Sequence, residues 1–257
     1  MGGALARGLI STGVLADSAV TLFDVHAESA VALAAQLGSN ATVAATAGEA
    51  VKTSTIVLLA VKPYTVASLL TEVSSALTPG HLVISIAAGI NLDKLQTAAG
   101  PGIPVLRVMP NILSLIGEGA TAIVGGASAT PEHLTLAQTF FSAVGKSIVV
   151  TENQIDAVTG LSGSGPAYVY LMIEAMIDGG VKAGLPRDTA RLLAAQTVFG
   201  AAKMVLTTSD HPALLKDRVT TPGGTTIAGL AKLEEKAVRS AIIEAIEAAT
   251  RRSKELS

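Results

Sequence analysis

The run Thr220, Thr221, Pro222, Gly223, Gly224, Thr225, Thr226 leads into an apolar helical pattern that begins near Ile227. Several backbone N–H groups converge there with the positive end of a helix dipole, an arrangement that suits a carboxylate. The same Pro and Gly residues also make a plain turn between two helices. Ser162 to Tyr168 is a comparable helix entrance, but Pro166 removes one donor, which favours close packing over anion binding. Three more segments each follow a short apolar run: Ala60, Val61, Lys62, Pro63; Ala87, Ala88, Gly89; and Met109, Pro110, Asn111. Any one of them reads as an ordinary strand-to-helix turn. Three on one sheet edge, built from small residues, point to a dinucleotide crevice, because ligands of open α/β sheets bind beyond the carboxyl ends of the strands. Asp24 ends a further apolar run, where a carboxylate accepts hydrogen bonds from an adenosine ribose and repels a 2′-phosphate. Taken alone it favours NAD over NADP; it serves equally as a turn or helix-cap aspartate. His26 beside it reads as a solvated surface residue.

The rest of the inventory is sparse. There is no cysteine, so thiol nucleophiles, disulfides and thiolate metal sites are excluded. His26, His81, His133 and His211 have no metal-ligand spacing, and no metal site is expected. With no Trp, 3 Tyr, 4 Phe and a net charge of −2, the chain offers neither stacking platforms nor a basic footprint for nucleic acid. Difficult chemistry would therefore belong to a cofactor.

These residues need a scaffold, and 257 residues that are 49% hydrophobic can bury enough surface to fold as one large or two smaller domains. The longest uncharged apolar stretch, Ala157 to Ile173, is broken by Ser162, Gly163, Ser164, Gly165 and Pro166, which argues against a membrane span. Arg7 inside the first apolar stretch argues against a signal peptide. Apolar, β-branched runs at Ala19–Phe23, Thr55–Val61, Leu82–Ala87, Pro104–Val108, Thr121–Val124 and Ser147–Val150 read as strands. Ala27–Leu37, Tyr64–Ala76 and Pro131–Val144 read as helices between them, the last capped by Thr130 with Pro131 at its first position. That alternation predicts an α/β fold with a Rossmann-type, doubly wound, mostly parallel sheet over residues 1–150.

After Val150 the strand signal stops. Glu152–Leu161, Ala167–Ala183, Pro186–Thr207, Pro212–Val219, Thr226–Leu233 and Lys236–Lys254 all read as helices, so residues 151–257 form an all-helical domain. Long helices of small residues with few charges, such as Leu192 to Ala202, call for burial on more than one side, which a homodimer supplies. At the front, Met1, Gly2, Gly3, Ala4 enter directly what reads as the helix of a phosphate-binding turn. The first strand and most of the Gly-rich loop, roughly 10 residues, are missing from the expected pattern, and the central strand of the sheet is expected to be vacant.

Leu161–Tyr168, Asp178–Pro186 and Leu215–Leu230 with its Thr221–Thr226 core resemble pyrroline-5-carboxylate reductase, as do Ala60–Pro63, Ala87–Gly89 and Met109–Asn111 with Gly117, Glu118 and Gly119. The resemblance spans essentially the whole chain, and its helical-half motifs are the specific ones. It implies reduction of 1-pyrroline-5-carboxylate to L-proline by NADP in its reduced form, with NAD possible, as the last step of proline synthesis. It further implies a cytoplasmic enzyme without nucleic-acid or membrane partners, built as a homodimer that assembles up to a homodecamer. By position, Gly223, Gly224 and Thr225 would hold the substrate carboxylate through N–H groups, and Thr226 would be the catalytic partner of the ring nitrogen. Gly2, Asp24, Ala60, Val61, Lys62, Pro63, Ala87, Ala88, Gly89 and Asn111 would line the cofactor. Against that pattern, Ile112 and Leu113 stand in place of Thr and Pro, and Asp24 in place of a small polar residue.

Two other readings compete. A 3-hydroxyacid dehydrogenase would use a lysine such as Lys182, but that family's asparagine one turn later is replaced here by Leu185 and Pro186. A dimeric protein with little cofactor affinity follows from the shortened phosphate loop, since a helix N-terminus alone binds pyrophosphate weakly.

Overall fold

The computed structural model describes residues 1–15 and 18–256. They form α1 (Gly2–Ser11), β1 (Val20–Leu22), α2 (Ala27–Leu37), β2 (Ala41–Val43), α3 (Ala47–Lys52), β3 (Ile56–Leu59) and α4 (Pro63–Val73). Then follow β4 (Leu82–Ser85), α5 (Leu92–Ala99), β5 (Val105–Met109), β6 (Gly119–Gly125), α6 (Pro131–Ser142) and β7 (Gly145–Val149). Beyond them come α7 (Ile155–Val158), α8 (Gly165–Lys182), α9 (Arg187–Thr208), α10 (Pro212–Arg218), α11 (Thr225–Glu235) and α12 (Val238–Leu256). Each strand read from the sequence is present. The sequence reading missed β2, α3 and α5, which at three, six and eight residues are too short to show a period. Both missed helices nevertheless carry capping signals: Thr46 accepts from the Glu49 N–H, and Asn91 from the Lys94 N–H at 2.9 Å. Thr130 caps α6 as expected, with the His133 ring accepting the Thr130 N–H in return.

By packing, the chain divides into two compact units, Met1–Ser164 with the segment from Ala248 onward, and Gly165–Glu247. The strand signal ends near Thr151, yet the next turns stay with the first unit. Ile155 is buried in its core, and the Asp156 carboxylate accepts the Ser253 hydroxyl at 2.7 Å.

In the first unit β1 and β2 pair in parallel, and a five-stranded sheet runs in the order β3-β4-β5-β6-β7. Only the β5–β6 pairing is antiparallel. Among the described residues no strand joins β1 to β3, and the two sheets are separate. Side chains alternate across the larger sheet. Val83 and Val105 enter one apolar layer with Val66, Leu70 and Leu95, whereas Leu82, Ile84, Leu106 and Val108 enter the other with Leu5 and Phe141. Each such side chain, fully buried, contributes about 1.5–3 kcal/mol.

In the second unit α8 and α9 form an antiparallel hairpin. Gly180 lets the two helices approach closely, because a Cβ there would lie 3.1 Å from the Ala190 Cβ. Gly184, at φ +103°, turns the chain, and Arg187 pairs with Asp178 at 3.0 Å across the exposed rim.

Candidate active site

The parallel register of β3, β4 and β5 puts their carboxyl ends on one edge, so Ala60–Pro63, Ala87–Gly89 and Met109–Asn111 emerge side by side. Pro63 starts α4, with Lys62 as its N-cap residue, which fixes the turn after β3. Ala60, Val61, Lys62 and Ala88 are exposed. Ala87 instead packs into the core, so that turn presents Ala88 and Gly89 to a ligand. Gly89 has φ +73°, and a Cβ there would meet the Leu256 carbonyl at 3.5 Å. The end of α12 therefore lies against this turn.

Gly2 begins α1, whose N-cap residue Met1 makes no side-chain cap. A Cβ on Gly2 would fall 2.6 Å from the Ala60 Cβ. The start of α1 thus abuts the end of β3 and presents first-turn N–H groups there, a cradle that fits the pyrophosphate of a dinucleotide. Asp24 follows β1 and is exposed; its Oδ1 accepts the His26 N–H at 2.8 Å, which sets the turn into α2. The turn reading and the ribose reading of Asp24 are compatible, since this bond uses one carboxylate oxygen.

Asn111 has a task that the sequence did not reveal. It is 5% exposed, its Oδ1 accepts the N–H groups of Leu113 and Ala120 at 3.2 Å each, and its Nδ2 donates to the Ser162 carbonyl at 3.1 Å. One amide thereby ties the turn after β5 to the start of β6 and to the π-helical turn Thr159–Gly163. That π turn is close-packed: a Cβ on Gly163 would lie 2.7 Å from the Met109 Cε. Arg107 and Glu152 were missed altogether. Arg107, buried in β5, pairs with Glu152 at 2.5 Å, and the same carboxylate oxygen accepts the Leu92 N–H at 2.9 Å, anchoring α5. An arginine inside the apolar run Pro104–Val108 was the available signal.

In the second unit, Thr221 to Gly224 make a turn closed by the Gly224 N–H donating to the Thr221 carbonyl at 3.1 Å. Pro222 and Gly223, the latter at φ +67°, occupy the two central positions as a type II turn requires. Gly224 is the N-cap residue of α11 and supplies no side-chain cap; a Cβ on it would strike the Thr221 hydroxyl. With the Gly224 N–H engaged in the turn, the donors left for an anion are those of Gly223, Thr225, Thr226 and Ile227. Thr226 is half-buried, Thr225 exposed. The carboxyls of Glu132 and Glu235, held below the ordinary value first by hydrogen bonds with Thr130 and Lys232, lie at the surface and belong to helix ends outside these turns.

Among the described residues no group of His, Cys, Asp and Glu is placed to hold a metal ion. Among the same residues no helix is long and apolar enough to cross a membrane.

Residues 152–256 match the family model described as pyrroline-5-carboxylate reductase dimerisation, and residues 1–89 match the one described as NADP oxidoreductase, coenzyme F420-dependent. A pyrroline-5-carboxylate reductase of Methanosarcina acetivorans is 47% identical over 256 residues, covering 100% of this chain and 94% of the relative. The structure of such a reductase from Coxiella burnetii superposes with a TM-score of 0.93 at 33% identity, covering 99% of this chain and 94% of that one. The pyrroline carboxylate reductase of Plasmodium falciparum, solved with NADP bound, gives 0.86 at 31% identity over 100% of this chain and 94% of that one. This chain belongs to the pyrroline-5-carboxylate reductase family.

Proposed function

We propose that this protein reduces 1-pyrroline-5-carboxylate to L-proline, the last step of proline synthesis, using NADPH or NADH. The observation that carries the reading is the uncapped start of α11 on the Thr221–Gly224 turn, which lies within the residues matched by the reductase dimerisation model. The N–H groups of Gly223, Thr225 and Thr226 hold the substrate carboxylate, and the Thr226 hydroxyl meets the ring nitrogen. In the first unit, Gly2 and α1 hold the pyrophosphate, Asp24 the adenosine ribose, and Ala60, Val61, Lys62, Pro63, Ala88 and Gly89 the remaining length of the cofactor, with Ala87 and Asn111 behind them as supports.

When bound, the reduced nicotinamide supplies a hydride to the C=N carbon. The ring nitrogen, protonated in solution, takes up the electron pair of the C=N bond and becomes the amine of proline. No strong protein acid is needed, because the protonated imine is already electrophilic; the chain contributes anchoring and orientation. The working form is a homodimer in the cytoplasm, which assembles further into a decamer.

A competing reading is a dimer with little cofactor affinity. Thr226→Ala addresses the main one: turnover with pyrroline-5-carboxylate falls about ten- to a hundredfold while the affinity for reduced nicotinamide, read by its fluorescence, stays within twofold. An unchanged rate removes Thr226 from the site, and absence of cofactor binding by the unaltered chain favours the second reading.

A further inference from the structure

The cofactor reading leaves open which dinucleotide this chain selects. The distinction rests on one group, the 2′-phosphate of the adenosine ribose, which brings a dianion to the carboxyl edge of β1 and β2. That edge carries three carboxylates. Asp24 follows β1 and Glu28 lies in the first turn of α2, while Glu49 lies in the first turn of α3 after β2, with its Oε2 accepting the Ala45 N–H at 3.1 Å. From residue 8 to residue 51 the sequence has no lysine or arginine, so β1, α2, β2 and the turns between them carry no guanidinium or ammonium. Arg7, the basic residue preceding that span, donates to Gln36 at 3.0 Å, in the last turn of α2 and so at the opposite end of that helix from Asp24. From residue 8 to residue 51 His26 carries the one basic side chain, and its backbone N–H holds the Asp24 carboxylate in place. The carboxylate is therefore oriented by the backbone and has one oxygen left to accept the two hydroxyls of an unphosphorylated ribose.

We infer that Asp24, set by the His26 N–H, makes this chain select NADH over NADPH. The inference rests on the cofactor reading proposed above. A fixed carboxylate within a few ångströms of a phosphate, with no lysine or arginine on β1, α2 or β2 to offset it, discriminates by about tenfold or more. Asp24→Asn is the informative variant, because an asparagine Oδ1 still accepts the His26 N–H and only the charge is removed.

The test is a fluorescence titration of NADH and of NADPH onto the full chain and onto Asp24→Asn. The unaltered chain is expected to bind NADH at least about tenfold more tightly, and the variant to bring the two affinities within about threefold, mainly by gaining affinity for NADPH. Equal or tighter binding of NADPH by the unaltered chain overturns the inference and leaves the cofactor reading standing, as does a ratio that Asp24→Asn does not change. Binding of neither dinucleotide overturns the cofactor reading and the inference together. Urea unfolding midpoints of the two proteins, expected to agree, separate the loss of charge from a loss of fold.

Discussion

The first unit closes its core within one chain, and the helical unit does not. In the first, Leu70, Val83, Val105, Leu106 and Ile123 are completely buried, and apolar layers cover both faces of β4, β5 and β6. In the second, α8 and α9 are longer than any helix of the first, yet Pro166, Ala190 and Ala194 are the residues they bury. Leu171 and Leu192 are 67% and 70% exposed, and Phe199, Met204 and Leu206 lie on the surface with them. Apolar surface on this scale calls for a partner, and the matching family model is named for dimerisation. The difference teaches that the two halves answer to different stabilities: the sheet to its own packing, the helices to protein concentration.

Two variants can break that comparison. The larger effect is expected from Leu171→Asp combined with Leu192→Asp, which places charges on the open faces of α8 and α9. If these faces meet a second copy, the dissociation constant measured by sedimentation rises more than about a hundredfold. An unchanged association would mean that the exposed apolar residues serve something other than dimerisation. The smaller effect comes from Leu70→Ala in the first unit, expected to cost about 3 kcal/mol by leaving a cavity beside Val66 and Leu95. Its unfolding shift should be the same at all protein concentrations, whereas that of the helical double variant should grow on dilution.

The same contrast explains how much could be read beforehand. Strand β4 was legible because a strand covered on both faces demands a continuous apolar run, and Leu82 to Ile84 is such a run. The three turns beyond the ends of β3, β4 and β5 were legible because parallel pairing aligns them. The Thr221–Thr226 turn was legible from residue types alone, since a type II turn asks for Pro and then Gly. What escaped depends on contacts distant in sequence. The role of Asn111 rests on bonds to partners 9 and 51 residues away, and Arg107 finds Glu152 across 45 residues. Neither spacing leaves a periodic trace. The engagement of the Gly224 N–H within its own turn also needed the backbone geometry, because composition does not say which donors are already taken.

The central claim is that this chain turns 1-pyrroline-5-carboxylate into proline. Incubating the purified dimer with that substrate and reduced nicotinamide, while following cofactor oxidation and assaying proline, tests it most directly. The account predicts one proline formed for each NADH or NADPH oxidised, with the faster rate at low cofactor concentration for NADH. A folded dimer that binds the cofactor yet forms no proline would contradict it.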